Sequence, residues 1–319
     1  MSDFVILGEV LIDAFTPVGV ALHAARELYP RPGGAPANVA VGLARLGADV
    51  AFVGKVGMDG YGGFLRDLLA AEGVDVACLT ADRRGATMLA LIALVSATEQ
   101  EVVVYPGATA FLEVGDLPRA QLERARSFIY NSVTLGTASR SAAWQAAEWA
   151  RAGGATVLFD VNLRPFLWPD LAAARPLFER SVAGATVLKL NEIELDFLTG
   201  TRDPAAGASL LLERGPSLVC VTLGAGGAYF ATAHACGHVP AFAVDVVDAT
   251  GSGDAFVAGL AYRLARHADS PAGLDAAALH AAVRFANACG ALAATQLGAM
   301  AALPTPAAVQ ALAGTPSAG

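Results

Sequence analysis

Short apolar runs alternate with amphipathic stretches along most of the chain. The apolar runs have the length of strands that are buried on both faces, and they occur at residues 4–8, 50–54, 127–132, 155–161, 185–190 and 217–223. Helical periodicity lies between them, at residues 37–47, 63–73, 138–154 and 255–268. Alternating strands and helices are typical of βαβ units. The pattern therefore predicts an α/β fold with a central, mostly parallel sheet between two helical layers.

Two regions depart from this alternation. Residues 9–32 follow the first predicted strand without a clear helix, and residues 86–105 contain two successive strands, ATMLALIALVS and EQEVVVY. Strands outside a βα alternation indicate a small separate sheet, which we expect to form a lid beside the active end of the main sheet. Residues 226–240 predict an antiparallel pair at the edge of the main sheet. The segment from Thr305 onward predicts one short helix and then a frayed end.

Composition narrows the class of protein. The chain has 319 residues, of which 55% are apolar and 16% charged, and its formal net charge is −8. A chain this apolar can bury enough side chain to offset the entropy of ordering, which excludes a disordered protein. The 21 Lys and Arg residues against 29 Asp and Glu residues produce no basic field, so we expect no nucleic-acid partner.

Cysteine usage and apolar stretches bear on the compartment. Cys78, Cys220, Cys236 and Cys289 form no CxxC pair, which predicts small buried hydrophobic side chains in a reducing compartment. The N-terminal residues lack the basic region of an export signal. The stretch 285–303 is mostly Ala and contains polar residues, so it predicts a buried helix rather than a membrane span. We therefore expect a cytoplasmic protein with no membrane partner.

The segment VVDATGSGDAFVAGLAYRLA has the strongest chemical pattern. It predicts a strand ending at Asp248, a glycine-rich turn at Gly251, Ser252 and Gly253, and a helix beginning at or near Asp254. Unpaired N–H groups at a helix start bind anions, and glycine lets a ligand approach the backbone closely. Asp254 alone could equally be a helix cap, and a cap in this place could also serve as a base.

Two further segments have both a structural and a functional interpretation. In RPGGAPANVAVGLARLG, Gly33 and Gly34 precede a helix, and the Asn38 amide can both donate to and accept from a hydroxyl-rich ligand. A turn followed by a cap explains the same letters. In KLNEIELDF, Asn191 and Glu194 share one face of a helix and could reach a Mg²⁺ ion or its water molecules. An N-cap Asn with a stabilising Glu is the alternative.

Two turns at predicted strand ends complete the candidate site. FDVNLRPFLW places Asp160, Asn162 and Arg164 after a strand, where open α/β sheets bind ligands. TLGAGGA is a glycine-rich turn with Thr222 at its mouth, and a plain hairpin turn is the alternative.

Other motifs argue against competing site types. His234, Cys236 and His238 alternate as zinc ligands on a strand could, but no fourth ligand is near, so we expect no metal there. The absence of a GxxxxGK[ST] sequence excludes a Walker-type nucleotide site. The lack of GxGxxG after the first strand disfavours a dinucleotide dehydrogenase.

Together these segments resemble the PfkB family of carbohydrate kinases, the ribokinase-like sugar and nucleoside kinases. The similarity extends from GEVLIDAF at 8–15 to GAMAALP at 298–304, and both signature regions, GGAPANVAVGLARLG and DATGSGDAFVAG, occur in the expected order. Within the family, GEVLIDAF, GKVG and DVNLRPFLW look most like fructokinases. The resemblance implies one ribokinase-like α/β/α domain over residues 1–319, with lid segments at about 9–32 and 86–105.

The resemblance also implies a reaction and a role for each matching residue. The reaction is transfer of the γ-phosphate of ATP to a primary hydroxyl of a sugar, with D-fructose giving fructose 6-phosphate. Asp254 would be the catalytic base, beside an anion hole formed by the backbone N–H groups of Gly251, Ser252 and Gly253. The implied sugar contacts are Asp13, Gly33, Gly34, Asn38 and Arg164. The implied nucleotide contacts are Asn191, Glu194, Thr222, Gly224, Gly227 and Asn287. Glu194 would organise Mg²⁺ through water, K⁺ is an optional monovalent cofactor, and paired lids would form a homodimer as in several relatives.

Departures from the family pattern mean that the sequence does not fix which sugar is the substrate. Tyr105 is followed by Pro106 where fructokinases and keto-acid sugar kinases often have Arg, Met58 replaces a common acidic residue, and Ala249 replaces Thr or Pro. The missing Arg removes a carboxylate partner, which disfavours 2-keto-3-deoxygluconate. Ribokinase, 2-keto-3-deoxygluconate kinase and other PfkB sugar kinases therefore stay as alternatives, as does a non-catalytic sugar sensor.

Overall fold

The computed structural model describes residues 2–96, 99–267 and 270–314. Residue 268 of the last predicted helix, residues 97–98 of the predicted lid segment and the predicted frayed end at 315–319 lie outside these ranges. The strands are β1 (Phe4–Leu7), β2 (Leu11–Phe15), β3 (Tyr29–Gly33), β4 (Val50–Gly57), β5 (Leu79–Asp82), β6 (Leu89–Leu94), β7 (Gln100–Tyr105), β8 (Ser127–Asn131), β9 (Thr156–Asp160), β10 (Val187–Asn191), β11 (Leu218–Thr222), β12 (Ala228–Ala231) and β13 (Cys236–Val239). The α-helices are α1 (Ala35–Arg45), α2 (Gly60–Ala71), α3 (Arg119–Leu122), α4 (Arg140–Ala152), α5 (Leu171–Gly184), α6 (Glu192–Thr199), α7 (Pro204–Leu212), α8 (Ser252–Leu264), α9 (Ala276–Ala293) and α10 (Pro306–Ala313).

The main sheet has nine strands in the order β13-β12-β11-β10-β9-β8-β1-β4-β5. Its strands pair in parallel from β11 to β5, whereas β11–β12 and β12–β13 are antiparallel. The mostly parallel sheet and the antiparallel pair at its edge confirm the prediction from the alternating pattern. Because parallel strands all end at the same edge, the loops that follow β1, β8, β9 and β10 converge there.

Alternating side chains of the strands supply two separate cores, one on each face of the sheet. In β1, Ile6 packs into one core, while Val5 and Leu7 pack into the other. The first core also contains side chains of α1, α2, α8, α9 and α10, and the second contains side chains of α3 to α7. The sheet is therefore covered on both faces, which explains why its strands read as continuous apolar runs.

A second, four-stranded sheet has the order β3-β2-β6-β7. It consists of the strands that interrupted the predicted alternation, so the expectation of a small separate sheet is confirmed. One face of this sheet packs as a small core around Leu11, Met88 and Ile92, against Val133 and Leu167 of the main body. We call it the lid sheet below.

Small residues let three helices of one layer approach closely. A Cβ on Gly42 of α1 would lie 2.9 Å from Cβ of Ala258 on α8, and one on Gly259 would lie 2.8 Å from Sγ of Cys289 on α9. These contacts bring the first turns of α1 and α8 together at the sheet edge where the parallel strands end.

One local prediction is wrong, one holds only in part, and one strand was not predicted. No strand ends at Asp248: Val246 and Val247 are exposed, and the N–H groups of Val247 and Asp248 bond to the Ala294 carbonyl at the end of α9. The stretch 285–303 is helical only to Ala293 and then turns back. Strand β5 was not predicted, because its sequence LTAD is short and half polar.

One helix among the described residues, α9, is long and apolar enough to cross a membrane, and 44% of its 18 residues are buried inside the protein. It packs between α8 and α10 and contacts β12 and β13. Such weak signals are common for core helices of globular folds.

Candidate active site

The glycine turn before α8 has a backbone that only glycine adopts easily. Gly251 is the N-cap with φ 82°, and a Cβ there would lie 2.8 Å from Cα of Ala299. The segment after α9 therefore packs directly against the turn. The Ser252 N–H donates to the Ala249 carbonyl at 3.1 Å, and the buried Ser252 hydroxyl has no hydrogen-bond partner. Of the predicted anion hole, the Ser252 N–H is thus engaged within the turn.

Asp254 lies in the first turn of α8, and its carboxylate is buried. Asn38, in the first turn of α1, donates from Nδ2 to Oδ2 of Asp254 at 2.7 Å. Burial raises the pKa of Asp254 from 3.8 to about 6, and the nearby Asp160 charge adds to this. The Asn38 bond and the charges of Arg164 and Lys189 oppose the rise. A carboxylate with this pKa is ionised at neutral pH and basic enough to accept a proton.

The lid sheet supplies the next group, Asp13. Its carboxylate occupies the space that a Cβ on Gly33 would need, and a Cβ on Gly34 (φ 107°) would lie 2.6 Å from the Glu9 carbonyl oxygen. Burial raises the pKa of Asp13 to about 6; Asp254 contributes and Arg164 opposes. The structure thus brings Asp13, Gly33 and Gly34 to the same place as Asn38 and Asp254.

The ends of β9 and β10 add a buried ion pair that the sequence analysis did not assign. Nζ of Lys189 lies 3.0 Å from Oδ1 of Asp160, its register partner on the neighbouring strand. A Cβ on Gly253 would lie 3.3 Å from the same Nζ, so this cation borders the glycine turn. Burial alone would lower the pKa of Lys189, but the charges of Asp160, Glu194 and Asp254 raise it overall. A charged residue within the apolar strand VLKLN was the signal that could have revealed it.

Asn191 and Glu194 form a complete capping box at the start of α6. Oδ1 of Asn191 accepts from the N–H groups of Ile193 and Glu194, each at 2.9 Å, and Oε2 of Glu194 accepts from the Asn191 N–H at 2.8 Å. Oε1 of Glu194 accepts from the Leu163 N–H at 2.8 Å. Both carboxylate oxygens are therefore engaged, so the capping interpretation accounts for the local geometry. Burial raises the pKa of Glu194, and the Lys189 charge opposes that rise.

Four of the six predicted nucleotide contacts lie at or next to the β11–β12 hairpin, whereas Asn191 and Glu194 lie at the start of α6. Thr222 ends β11, Gly224 and Gly227 have positive φ, and the Gly227 Cα lies against the Val239 carbonyl. Asn287 of α9 donates from Nδ2 to the carbonyls of Val239 and Pro240, at 3.0 and 3.2 Å. Asn287 thus ties the end of β13, which borders this hairpin, to α9.

Two histidines that the sequence analysis weighed as zinc ligands lie at or near β13. His238 lies on β13 and its Nε2 is 2.7 Å from the Gly226 carbonyl, while His234 lies outside the strand. No cluster of three or more metal-binding side chains occurs within residues 2–96, 99–267 and 270–314.

Unpartnered polar atoms mark the centre of this region. Seven buried side-chain atoms of the described residues have no hydrogen-bond partner, and four of them belong to this region: Glu9 Oε2, Asn38 Oδ1, Asn162 Nδ2 and Ser252 Oγ. Asn162 also has φ 39°, a strained value for a residue with a side chain. Buried polar atoms are normally satisfied, so a group of unsatisfied ones indicates a polar ligand site. Glu9 follows β1 directly, and its position after a buried strand was the signal that could have identified it.

The chain is similar to characterised sugar kinases over nearly its whole length. It is 41% identical over 303 residues to a fructokinase from Klebsiella pneumoniae, covering 94% of this chain and 95% of that protein. It is 40% identical over 312 residues to fructokinase-1 from Oryza sativa subsp. japonica, covering 95% of each chain.

Solved structures show the same fold. A fructokinase from Xylella fastidiosa with bound ATP has a TM-score of 0.88 at 34% identity and covers 98% of both chains. A fructokinase from Vibrio cholerae O395 with fructose, ADP and a calcium ion has a TM-score of 0.87 at 37% identity, covering 98% of this chain and 99% of that one. An aminoimidazole riboside kinase from Salmonella enterica, with aminoimidazole riboside and an ATP analogue, has a TM-score of 0.84 at 35% identity and the same coverage. The model of the pfkB family of carbohydrate kinases matches residues 1–306, and with these relatives it shows that the chain belongs to that family.

Proposed function

We propose that this protein is an ATP-dependent fructokinase, which converts D-fructose and ATP to fructose 6-phosphate and ADP. The observation that carries the proposal is the buried Asp254 carboxylate at a glycine-lined helix start, bound by Asn38 from the other signature segment. The fructokinase relatives at about 40% identity favour fructose as the sugar.

Asp254 acts as the general base in this reaction. The primary hydroxyl of the sugar loses its proton to the Asp254 carboxylate while its oxygen forms a bond to the γ-phosphorus of ATP. The bond from that phosphorus to the β–γ bridging oxygen breaks, and ADP leaves. General bases contribute roughly 10²- to 10⁴-fold to such rates, and the raised pKa of Asp254 to about 6 suits this role at neutral pH.

Charge on the transferred phosphoryl group is stabilised at the start of α8. The backbone around Gly251, Ser252 and Gly253 offers N–H dipoles, and the Ser252 N–H, which donates to the Ala249 carbonyl, would have to leave that bond to take part. Nζ of Lys189 lies beside this turn, so its positive charge adds to the N–H dipoles in stabilising negative charge on the phosphoryl group.

Sugar hydroxyls bind to the polar groups between α1 and the lid sheet. Asp13 accepts hydrogen bonds, Asn38 accepts through its free Oδ1, and Gly33 and Gly34 leave room for close approach. Arg164, with its guanidinium near the Asp13 and Asp254 charges, contacts sugar or phosphate.

The nucleotide lies along the β11–β12 hairpin, where Thr222, Gly224, Gly227 and Asn287 border it. Mg²⁺ neutralises phosphate charge when bound. The donors near α6 fit an ion held through water molecules, because both oxygens of Glu194 already accept backbone N–H groups and Mg²⁺ commonly keeps part of its hydration shell. Asn191 and Glu194 would orient those waters, and K⁺ is a further optional ion.

The lid sheet closes over the sugar and excludes water that could otherwise accept the phosphoryl group. Its exposed apolar side chains, among them Val103 and Tyr105, support pairing of two lids in a homodimer. The four cysteines are free, which fits the reducing cytoplasm as the site of action.

A sugar panel tests the proposal. ADP formation is followed with fructose, ribose, glucose, adenosine, aminoimidazole riboside and 2-keto-3-deoxygluconate, and we expect the highest kcat/KM for fructose. A higher value for a riboside, which the Salmonella structure and the absent Arg after Tyr105 make the second candidate, would move the chain to that activity. Sugar binding without any ADP formation would identify a sensor instead.

A further inference from the structure

Glu9 occupies the connection between the two sheets. β1 of the main sheet ends at Leu7 and β2 of the lid sheet begins at Leu11, so Glu9 lies in the short crossing segment. Its side chain is buried, with 2% of its surface exposed. A glutamate is among the residues least often buried without a full set of partners, so its presence here requires an explanation.

Only half of the Glu9 carboxylate is satisfied. Oε1 accepts from Nδ2 of Asn131 at 3.3 Å, whereas Oε2 has no hydrogen-bond partner. Burial raises the pKa of Glu9 from 4.5 to about 7, with the Asp254 charge adding to the rise; the backbone N–H of Glu9 itself, the Asn131 bond and the Arg164 charge limit it. Leaving a buried carboxylate oxygen without a hydrogen bond costs stability, and no described residue donates one to Oε2.

The surroundings of Glu9 are those of the sugar site. Its carbonyl oxygen lies against Gly34, and its carboxylate is close enough to Arg164 and Asp254 to respond to their charges. Its partner Asn131 is followed by Ser132, whose hydroxyl donates to the carbonyl of Asn162 at 3.1 Å. Asn162 has the unpartnered donor Nδ2. One free acceptor therefore lies after β1 and one free donor after β9, and each residue is linked by a hydrogen bond to the end of β8, the strand between them.

Sugar hydroxyls both donate and accept hydrogen bonds, so they complement the acceptor Oε2 of Glu9 and the donor Nδ2 of Asn162. We propose that Glu9 is an additional sugar-binding residue, whose Oε2 accepts from a hydroxyl other than the one phosphorylated, with Asn162 Nδ2 donating on the same side of the sugar. This inference rests on the proposed sugar kinase function. Because Glu9 lies between the two sheets, this contact ties the bound sugar to the base of the lid sheet.

The test combines Glu9→Gln with sugar analogues. Initial rates are measured at about pH 8, where Glu9 is ionised, with fructose and with analogues that each lack one hydroxyl other than the primary hydroxyl that is phosphorylated. We expect the KM for fructose to rise roughly tenfold to hundredfold, the range of a hydrogen bond to a charged group, with the KM for ATP unchanged. The analogue that lacks the contacted hydroxyl should lose affinity with the wild-type enzyme but no further affinity with Glu9→Gln.

Stability separates binding from a structural role. Because Glu9→Gln removes a buried, half-paired charge, the ligand-free variant should melt at the same temperature as wild type or higher. Glu72→Gln, whose carboxylate pairs with Arg45 at the far ends of α1 and α2, is the matched control and should leave the KM for sugar unchanged. Glu9→Asp, which keeps the charge on a shorter side chain, gives the same analogue comparison if the Gln variant folds poorly.

Three outcomes would overturn the inference. One is an unchanged KM for fructose in Glu9→Gln, which would indicate that Oε2 makes no contact with the sugar. Another is an equal rise in the KM for sugar and for ATP. The third is an equal loss for every analogue in both enzymes. Failure of wild type to phosphorylate any sugar would instead overturn the proposed function.

Discussion

At the scale of single residues, the site is governed by carboxylates whose charges are held in a poorly solvated space. Glu9, Asp13 and Asp254 all have pKa values raised by burial, to about 7, 6 and 6. Arg164 is a cation that opposes the rise at each of them. A region so rich in acids favours ligands that donate hydrogen bonds, as sugar hydroxyls do.

Replacing the base gives the most direct test of the chemistry. Asp254→Asn keeps the size of the side chain but cannot accept the hydroxyl proton, so we expect kcat to fall by roughly 10²- to 10⁴-fold or more. Calorimetric binding of fructose and of ATP should stay within a few-fold of wild type. Unimpaired turnover in this variant would contradict the assigned mechanism.

The bond from Asn38 predicts a change in the pH profile. In wild type, kcat/KM should fall as pH drops through about 6, because protonated Asp254 cannot act as a base. Asn38 donates to the charged form of Asp254, so Asn38→Ala should raise that pKa and move the acidic limb to higher pH. The KM for sugar should also rise more than the KM for ATP. A limb that does not move would show that Asn38 does not act on Asp254.

At the scale of elements, the packing of α1 on α8 sets the distance between the two signature segments. Gly42 and Ala258 are in contact where the helices cross, and Asn38 lies one turn before Gly42. Because Gly42 has no side chain, α1 and α8 can approach closely at this contact. The distance between Asn38 and Asp254 depends on that helix separation.

An exchange of side chains between these helices tests that dependence. Gly42→Ala places a methyl group 2.9 Å from Cβ of Ala258, so overpacking should lower stability by about 1–3 kcal/mol and reduce kcat as Asn38 and Asp254 separate. Adding Ala258→Gly restores the space and should recover most of the activity. Urea unfolding and steady-state rates measure both effects. Equal activity in the single and double variants would mean that the helix spacing is not limiting.

At the scale of the whole molecule, the lid sheet leaves an apolar face open. Val102 and Val104 face its core, whereas Val103 and Tyr105, which alternate with them along β7, are 42% and 55% exposed. Two such faces could cover each other in the proposed dimer, which would also hold both lids relative to their sites.

A charge on that face should separate the subunits. We expect wild type to sediment as a dimer and Val103→Glu as a monomer, because pairing would bury an unpaired carboxylate. Val18→Glu is a suitable control, since Val18 is 83% exposed and lies outside the strands of the lid sheet. A monomeric wild-type protein would rule out the lid-paired dimer.

Much of the fold could be predicted from the sequence because burial imposes periodic patterns of apolar residues. Strands buried on both faces and helices with one apolar face leave periodic signals, and the strands that interrupt the alternation did form a separate sheet. Errors arose where local pattern and tertiary contact disagree. Val246 and Val247 look like a strand, but they have no neighbouring strand and bond to the end of α9 instead.

The sequence by itself determined the alternating layers, the glycine turns and the residues offered to a site, because each depends on chain neighbours. Only the tertiary structure decided which of them meet. Asn38 and Asp254 are 216 residues apart and share a hydrogen bond; Lys189 pairs with Asp160 on the neighbouring strand; and one oxygen of Glu9 is left unpaired. These relations depend on how helices and strands pack over long sequence separations, which no local periodicity records.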